Sequence, residues 1–175
     1  MTGEQRRQWI LQQLQTAQKP ISATALAKQS GVSRQIVVGD IALMRAAGEH
    51  IEATPRGYRI AQQSTGIKLM VACCHTGLEQ LKQELYLVVD NGGLVQDVIV
   101  ENPLYGQITA QLHISSRYEA DLFLQKASDQ SQSLLSNLTS GVHLHTILCK
   151  DQQTAQRIQQ ALEEQHLLYQ QNLSE

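Results

Sequence analysis

The sequence predicts an α+β chain, a winged helix-turn-helix followed by a ferredoxin-like α/β sandwich. Three observations predict it. Two short helical segments meet at Gly31 and lead into a basic hairpin with Pro55 and Gly57 in its turn. A small, polar stretch from Ala61 to Gly66 then breaks the pattern. Beyond it, valine- and isoleucine-rich segments and amphipathic ones follow in the order β-α-β-β-α-β-α, that of a sandwich with helices on one face of an antiparallel sheet.

Glu4 to Gln18 reads as a helix, with Ile10, Leu11, Leu14 and Ala17 on one side and glutamines on the other. Pro20 stops it, because the residue before a proline is pushed out of the helical region. Trp9 flanks the stripe as a core residue or interface anchor. Ser22 caps a second helix through Ala23 to Gln29, and Gly31 supplies the positive φ of its exit. Ser33 caps a third, whose apolar positions Ile36, Val37, Ile41 and Met44 recur at helical spacing up to Gly48. Ile51 to Ala53 and Tyr58 to Ile60 flank the turn Thr54-Pro55-Arg56-Gly57 as a hairpin.

Placing the boundary at Ala61 to Gly66 gives domains at 1–62 and 67–172. In the second, Ile67 to Cys74 reads as a buried strand, and Leu78 to Asp90 as a helix with Leu78, Leu81, Leu85, Val88 and Val89 on its apolar side. Asn91-Gly92-Gly93 turns the chain. Leu94 to Glu101 and Gln107 to Ile114 are strands joined through Asn102 to Gly106. Ser116 caps a helix to about Ala127, and Asp129 to Asn137 is a polar, partly helical connection. Val142 to Cys149 is the last strand, and Gln152 to Leu168 the last helix.

A chain of 175 residues suffices for two domains, each with its own core. No apolar run reaches the length of a membrane span, and the first residues lack the apolar core of a signal peptide. The three cysteines form no C-x-x-C pair and suggest no disulfide framework, so the expected compartment is the cytoplasm. Residues 1–66 hold eight Lys or Arg against four acids, while the remainder holds six against twelve. A basic first half joined to an acidic second half fits a DNA reader with a regulatory domain.

Ser33, Arg34 and Gln35 occupy the first turn of the third helix, the part that enters the major groove when such a helix reads DNA. Arginine can contact guanine in a bidentate manner, and glutamine adenine. Arg45 near the helix end and Arg56 and Arg59 in the wing suit phosphate contacts, which supply affinity without sequence choice. The competing reading is a solvated face on a protein-binding winged helix.

The histidines form a second constellation. His143 and His145, two apart on a strand, leave the same face beside the Ser140-Gly141 turn, a common start of a transition-metal site. His75, just past the first strand of its domain, can supply a third imidazole. Glu84 borders the apolar stripe of the following helix, whereas Glu79 falls opposite and is solvated. His75, Glu84, His143 and His145 are therefore a candidate metal site of three nitrogens and one carboxylate, suited to one divalent transition metal per chain (Zn, Ni or Fe). His113 fits packing or a ligand hydrogen bond better than metal, His50 and His166 read as surface residues, and Cys73, Cys74 and Cys149 as small buried hydrophobes.

The segments P-I-S-A-T-A-L-A-K-Q-S-G-V-S-R-Q-I-V-V-G-D-I, A-T-P-R-G-Y, V-I-V-E-N-P-L-Y-G-Q-I-T-A and S-G-V-H-L-H-T-I resemble the bacterial niacin-responsive repressors, which join a winged helix-turn-helix to a 3H domain named for three histidines. The resemblance covers nearly the whole chain. It implies a homodimeric repressor of NAD biosynthesis or niacin uptake genes, with double-stranded operator DNA as partner and nicotinate as corepressor. It also implies a divalent metal held by histidines matching His75, His143 and His145 and by a helix glutamate, matched to Glu84 with Glu79 as the alternative. Two other classes compete. A metal-dependent hydrolase or other small-molecule-binding metalloprotein would use an open metal position, but no general base stands beside the histidines. A biotin-ligase-like protein would need a Gly-rich, basic nucleotide loop, which the second half lacks.

Overall fold

The computed structural model describes residues 1–61 and 66–170. The chain divides into two compact units, Met1–Gln63 and Ser64–Glu175. Of the polar stretch at the boundary, Gln62 to Thr65 lie outside the described residues.

In the first unit, α1 (Gly3–Thr16), α2 (Ala23–Ser30) and α3 (Arg34–Ala46) surround a core of Ile10, Leu14, Leu26, Val37, Ile41 and Met44. Each helix has a side-chain cap. Thr2 and Gln5 form a reciprocal capping box on α1, and the hydroxyls of Ser22 and Ser33 accept from the amides of Ala25 and Ile36. Helix α1 ends two residues short of the expected Gln18, since Ala17 is already extended ahead of Pro20. Trp9 is half-buried against the core. Ile36 is not a core position as expected. It is 44% exposed, and the inner stripe of α3 runs Val37, Asp40, Ile41, Met44.

Strands β1 (Ile51–Thr54) and β2 (Gly57–Ile60) form the hairpin, and Ile21 adds a third short rung through mutual bonds with Tyr58 at 2.9 Å. That rung requires Gly57. A Cβ there would stand 2.4 Å from the Ile21 carbonyl oxygen.

The second unit is a four-stranded antiparallel sheet of β3 (Ile67–Cys74), β4 (Leu94–Asn102), β5 (Gly106–Ile114) and β6 (Val142–Cys149), in the spatial order β3-β6-β4-β5. Helices α4 (Leu78–Asp90), α5 (Arg117–Asp129) and α6 (Gln152–Glu164) pack Leu85, Val88, Ala120, Ile158 and Leu162 on the face that carries Val71, Val95, Leu112 and Ile147. The α+β class and the β-α-β-β-α-β order hold. As in a ferredoxin-like sandwich, two β-α-β units interlock, each enclosing one strand of the other; here β6 lies between β3 and β4, and β4 between β5 and β6. Two short 3₁₀ turns, Ser131–Ser133 and Leu135–Thr139, occupy the polar connection.

Helix α6 stops four residues before the expected Leu168. His166 turns at φ 57, and the chain then runs back along β3, where Leu167 accepts from the Cys74 amide and Tyr169 donates to Ala72. Leu167 and Leu168 are apolar because they pack on the sheet core, not because a helix continues.

Candidate functional site

Four buried polar side chains meet at one end of the sheet. His143 and His145 project from β6 toward the helices, His75 follows the end of β3, and Glu84 comes down from α4. None is more than 6% exposed. The His75 Nε2 stands 2.5 Å from Glu84 Oε2, His143 Nε2 3.3 Å from the same oxygen, and His145 Nε2 3.4 Å from Oε1. The rings of His75 and His143, and of His143 and His145, meet edge to face at 4.8 and 4.9 Å. Glu79 is exposed on α4, so of the two helix glutamates only Glu84 reaches the cluster.

The backbone orients the rings. His143 Nδ1 donates to the Gly141 carbonyl at 2.8 Å and His145 Nδ1 to the Asp97 carbonyl at 2.5 Å. A carbonyl only accepts, so both rings carry a proton on Nδ1, and their neutral forms aim a bare Nε2 lone pair at the carboxylate. Gly141 has to be glycine, with φ 95 and a position where a Cβ would lie 2.5 Å from the His75 carbonyl oxygen. Asp97 sits in a gap of the β4–β6 ladder, between the paired Val95 and Ile99. Its carbonyl takes the His145 ring, and its Oδ1 accepts the Thr146 amide at 2.9 Å. Sequence reasoning missed Asp97. Its signal is an acid at an inward position of a Val/Ile strand.

A lone pair facing a carboxylate is repulsive, so each Nε2 needs either a second proton or a metal ion between it and Glu84. Burial opposes the charge on Glu84, yet the adjacent His145 charge, with hydrogen bonding from His143 and His75, holds its carboxyl well below the ordinary carboxylate range. Burial likewise opposes an imidazolium at His145, and Glu84 more than offsets it, raising that ring. Glu84 Oε1 and His145 Nε2 face each other at 3.4 Å, buried and without a well-formed hydrogen bond to any group. Three imidazoles set around one carboxylate, with two of the facing atoms orphaned, fit a metal ion, and His143 and His145 are braced from behind as metal-bound histidines are. The buried Cys73 lies in the same cluster, where burial first and Glu84 second push its thiol up. His113 is on β5. It is 7% exposed in a β5 bulge at φ 53. His50 and His166 are exposed.

In the first unit, Ser33, Arg34 and Gln35 are exposed on the opening turn of α3. Arg45 is also exposed, but its Nε donates to the Ile51 carbonyl at 2.7 Å and its guanidinium lies over Tyr58, bracing helix to hairpin. Arg59 pairs with Glu52 across the hairpin at 3.5 Å, and Arg56 is half-buried in the turn. Two further bases are taken up within the fold. Arg6 and Arg7 of α1 reach the 4%-exposed Asp40 of α3, Arg6 through Nε at 2.6 Å. Arg34, on the opening turn of α3, is exposed, as is Lys28 of α2. No described helix is long and apolar enough to cross a membrane.

The HTH domain family matches residues 6–59, and the 3H domain family matches residues 68–171. The chain is 39% identical over 172 residues to the protein named Transcription repressor NadR of Bacillus subtilis, covering 96% of this chain and 95% of that protein. It is 40% identical over 165 residues to the Probable transcription repressor NiaR of Thermotoga maritima, covering 94% of each.

Proposed function

Because the chain belongs to the family that joins an N-terminal HTH domain to a C-terminal 3H domain and includes named transcription repressors, we propose that it is a ligand-controlled repressor, with nicotinate as corepressor. In this reading it binds operator DNA as a homodimer, controls genes of NAD biosynthesis or niacin uptake, and is a regulator, not an enzyme. The observation that carries it is the serine-capped, exposed first turn of α3, which presents Arg34 and Gln35 to solvent where a groove-reading helix needs them. One module buries too little surface for tight specific binding, so two reading helices on a palindromic site are expected.

His75, His143, His145 and Glu84 would hold one divalent transition metal. When bound, the metal supplies positive charge and, if six-coordinate, a position open to a pyridine nitrogen or a carboxylate. Nicotinate would then act by population shift, favouring the dimer geometry whose helices fit successive major grooves. A second reading has the ion only tie α4 to the sheet, and the spread of the donors over three elements favours considering it.

Operator binding titrated with nicotinate tests the reading. Arg34→Ala should cost about 1–3 kcal/mol on the specific site, whereas Arg56→Ala should weaken all sequences alike and lower the salt slope by about 1. An Arg34→Ala protein that binds the operator as wild type does would remove α3 as the reader. A folded His145→Ala protein should lose the nicotinate response while retaining weak DNA binding. If it loses metal yet still responds, the ion is only a tie.

A further inference from the structure

The buried cluster contains a fifth donor that neither the histidine spacing nor the relatives assign. Cys73 is 0% exposed, stands two residues before His75, and is the register partner of His143 across the β3–β6 ladder, so both side chains leave the same face. Its Sγ, a Glu84 oxygen and a His143 ring nitrogen all lie within 4.8 Å of one another, the spread of donors around a single ion. Glu84 Oε1 and His145 Nε2, buried and without hydrogen-bond partners, belong to the same cluster. We propose that Cys73 is an additional ligand of the metal, bound as the thiolate.

The inference rests on the reading of this cluster as a metal site, and charge carries it further. A divalent ion held by three neutral imidazoles and one carboxylate keeps one net positive charge. In a site whose donors are at most 6% exposed, that excess has no water to solvate it. A thiolate brings the sum to zero. On binding, the sulfur–metal bond forms as the sulfur–hydrogen bond breaks, the proton leaves to solvent, and nothing is oxidised or reduced. Neither other sulfur can take this place. Cys74 points to the opposite face of β3, and Cys149 is paired with Ile67 at the far end of the ladder. Sulfur would tilt the site toward thiophilic ions such as Zn, Co and Ni and away from Mn and Mg. In a six-coordinate site, five protein donors still leave one position for the corepressor.

Cobalt loading of the full chain tests the proposal, because a thiolate ligand gives a sulfur-to-cobalt charge-transfer band in the near ultraviolet. Wild type should show that band together with visible d–d transitions. Cys73→Ser should lose the band but keep the d–d transitions, with zinc affinity down about tenfold or more and manganese affinity changed much less. The Cys74→Ser/Cys149→Ser double variant, whose only sulfur ligand is Cys73, should keep the band; it carries the test if Cys73→Ser does not fold. Cobalt bound without the band in wild type, or a band that survives Cys73→Ser, overturns the assignment while leaving the four-donor site intact. A wild-type chain that takes up neither cobalt nor zinc overturns the metal site itself, and Cys73 with it.

Discussion

Asp40 is an acid in the middle of an apolar stripe, and its position decides which arginines of the first unit stay available. It sits between Val37 and Ile41 on α3 and receives Arg6 and Arg7 from α1. Asp40→Ala would leave Arg6, itself largely buried, without its counter-charge, at a cost of about 3 kcal/mol. Trp9 is the single tryptophan of the chain, so urea unfolding followed by its fluorescence reads this unit alone. An unchanged midpoint would show the ion pair to be dispensable. At the cluster, the raised His145 and lowered Glu84 set a pH dependence. Without metal, the His145–Glu84 pair stabilises fully below the ordinary histidine value of about 6.5 and is lost as pH rises through the raised one. The Glu84 contribution is present above the ordinary carboxylate value and fades only in acid. Metal needs the imidazoles deprotonated. The melting-temperature gain from added zinc should therefore widen from pH 6 to pH 8, and a constant gain would exclude the imidazoles as ligands. His143, His145 and Glu84 were legible because period-two and helical spacing place side chains on faces, and His75 because it directly follows a strand end. Cys73 was legible to the same rule but was absorbed by the hydrophobic reading of buried cysteine, and Asp97, though an acid at an inward strand position, acts through a gap in the β4–β6 ladder that spacing does not show.

The third helix raises a question its own packing does not answer. Gly39 lies mid-helix, exposed, with ordinary helical backbone, and a Cβ there would meet nothing within 4 Å. Glycine at such a position destabilises by about 0.5–1 kcal/mol relative to alanine. Gly39→Ala should raise the urea midpoint read by Trp9. If α3 lies in a major groove, the same change should weaken operator binding, and intact binding would mean that the helix keeps its distance from DNA at that point. Element order was readable throughout, since caps at Ser22, Ser33 and Ser116 and glycines at Gly31 and Gly92 mark where helices start and stop. What failed were helix ends, α1 by two residues and α6 by four. Leu167 and Leu168 continue the apolar pattern of α6 well enough to hide a change of direction at an exposed His166.

Each unit has its own core. This independence was visible in composition, whereas the order of strands in the sheet was not, because it depends on which edge each crossover selects. The return of the chain along β3 has a consequence for how the protein behaves in a test tube. β3 is an edge strand, and Leu167 to Tyr169 occupy the hydrogen-bonding groups of its Ala72–Cys74 end. Farther along the same strand, Met70 is 60% exposed and Lys68 is its single charge. A chain cut after Gln165 would present a longer bare edge with exposed apolar side chains, a template for pairing with another copy. Its light scattering should climb with concentration where the full-length protein stays clear. A bulky fusion at the C-terminus that displaced Leu167 should do the same, so solubility would fail before DNA recognition did.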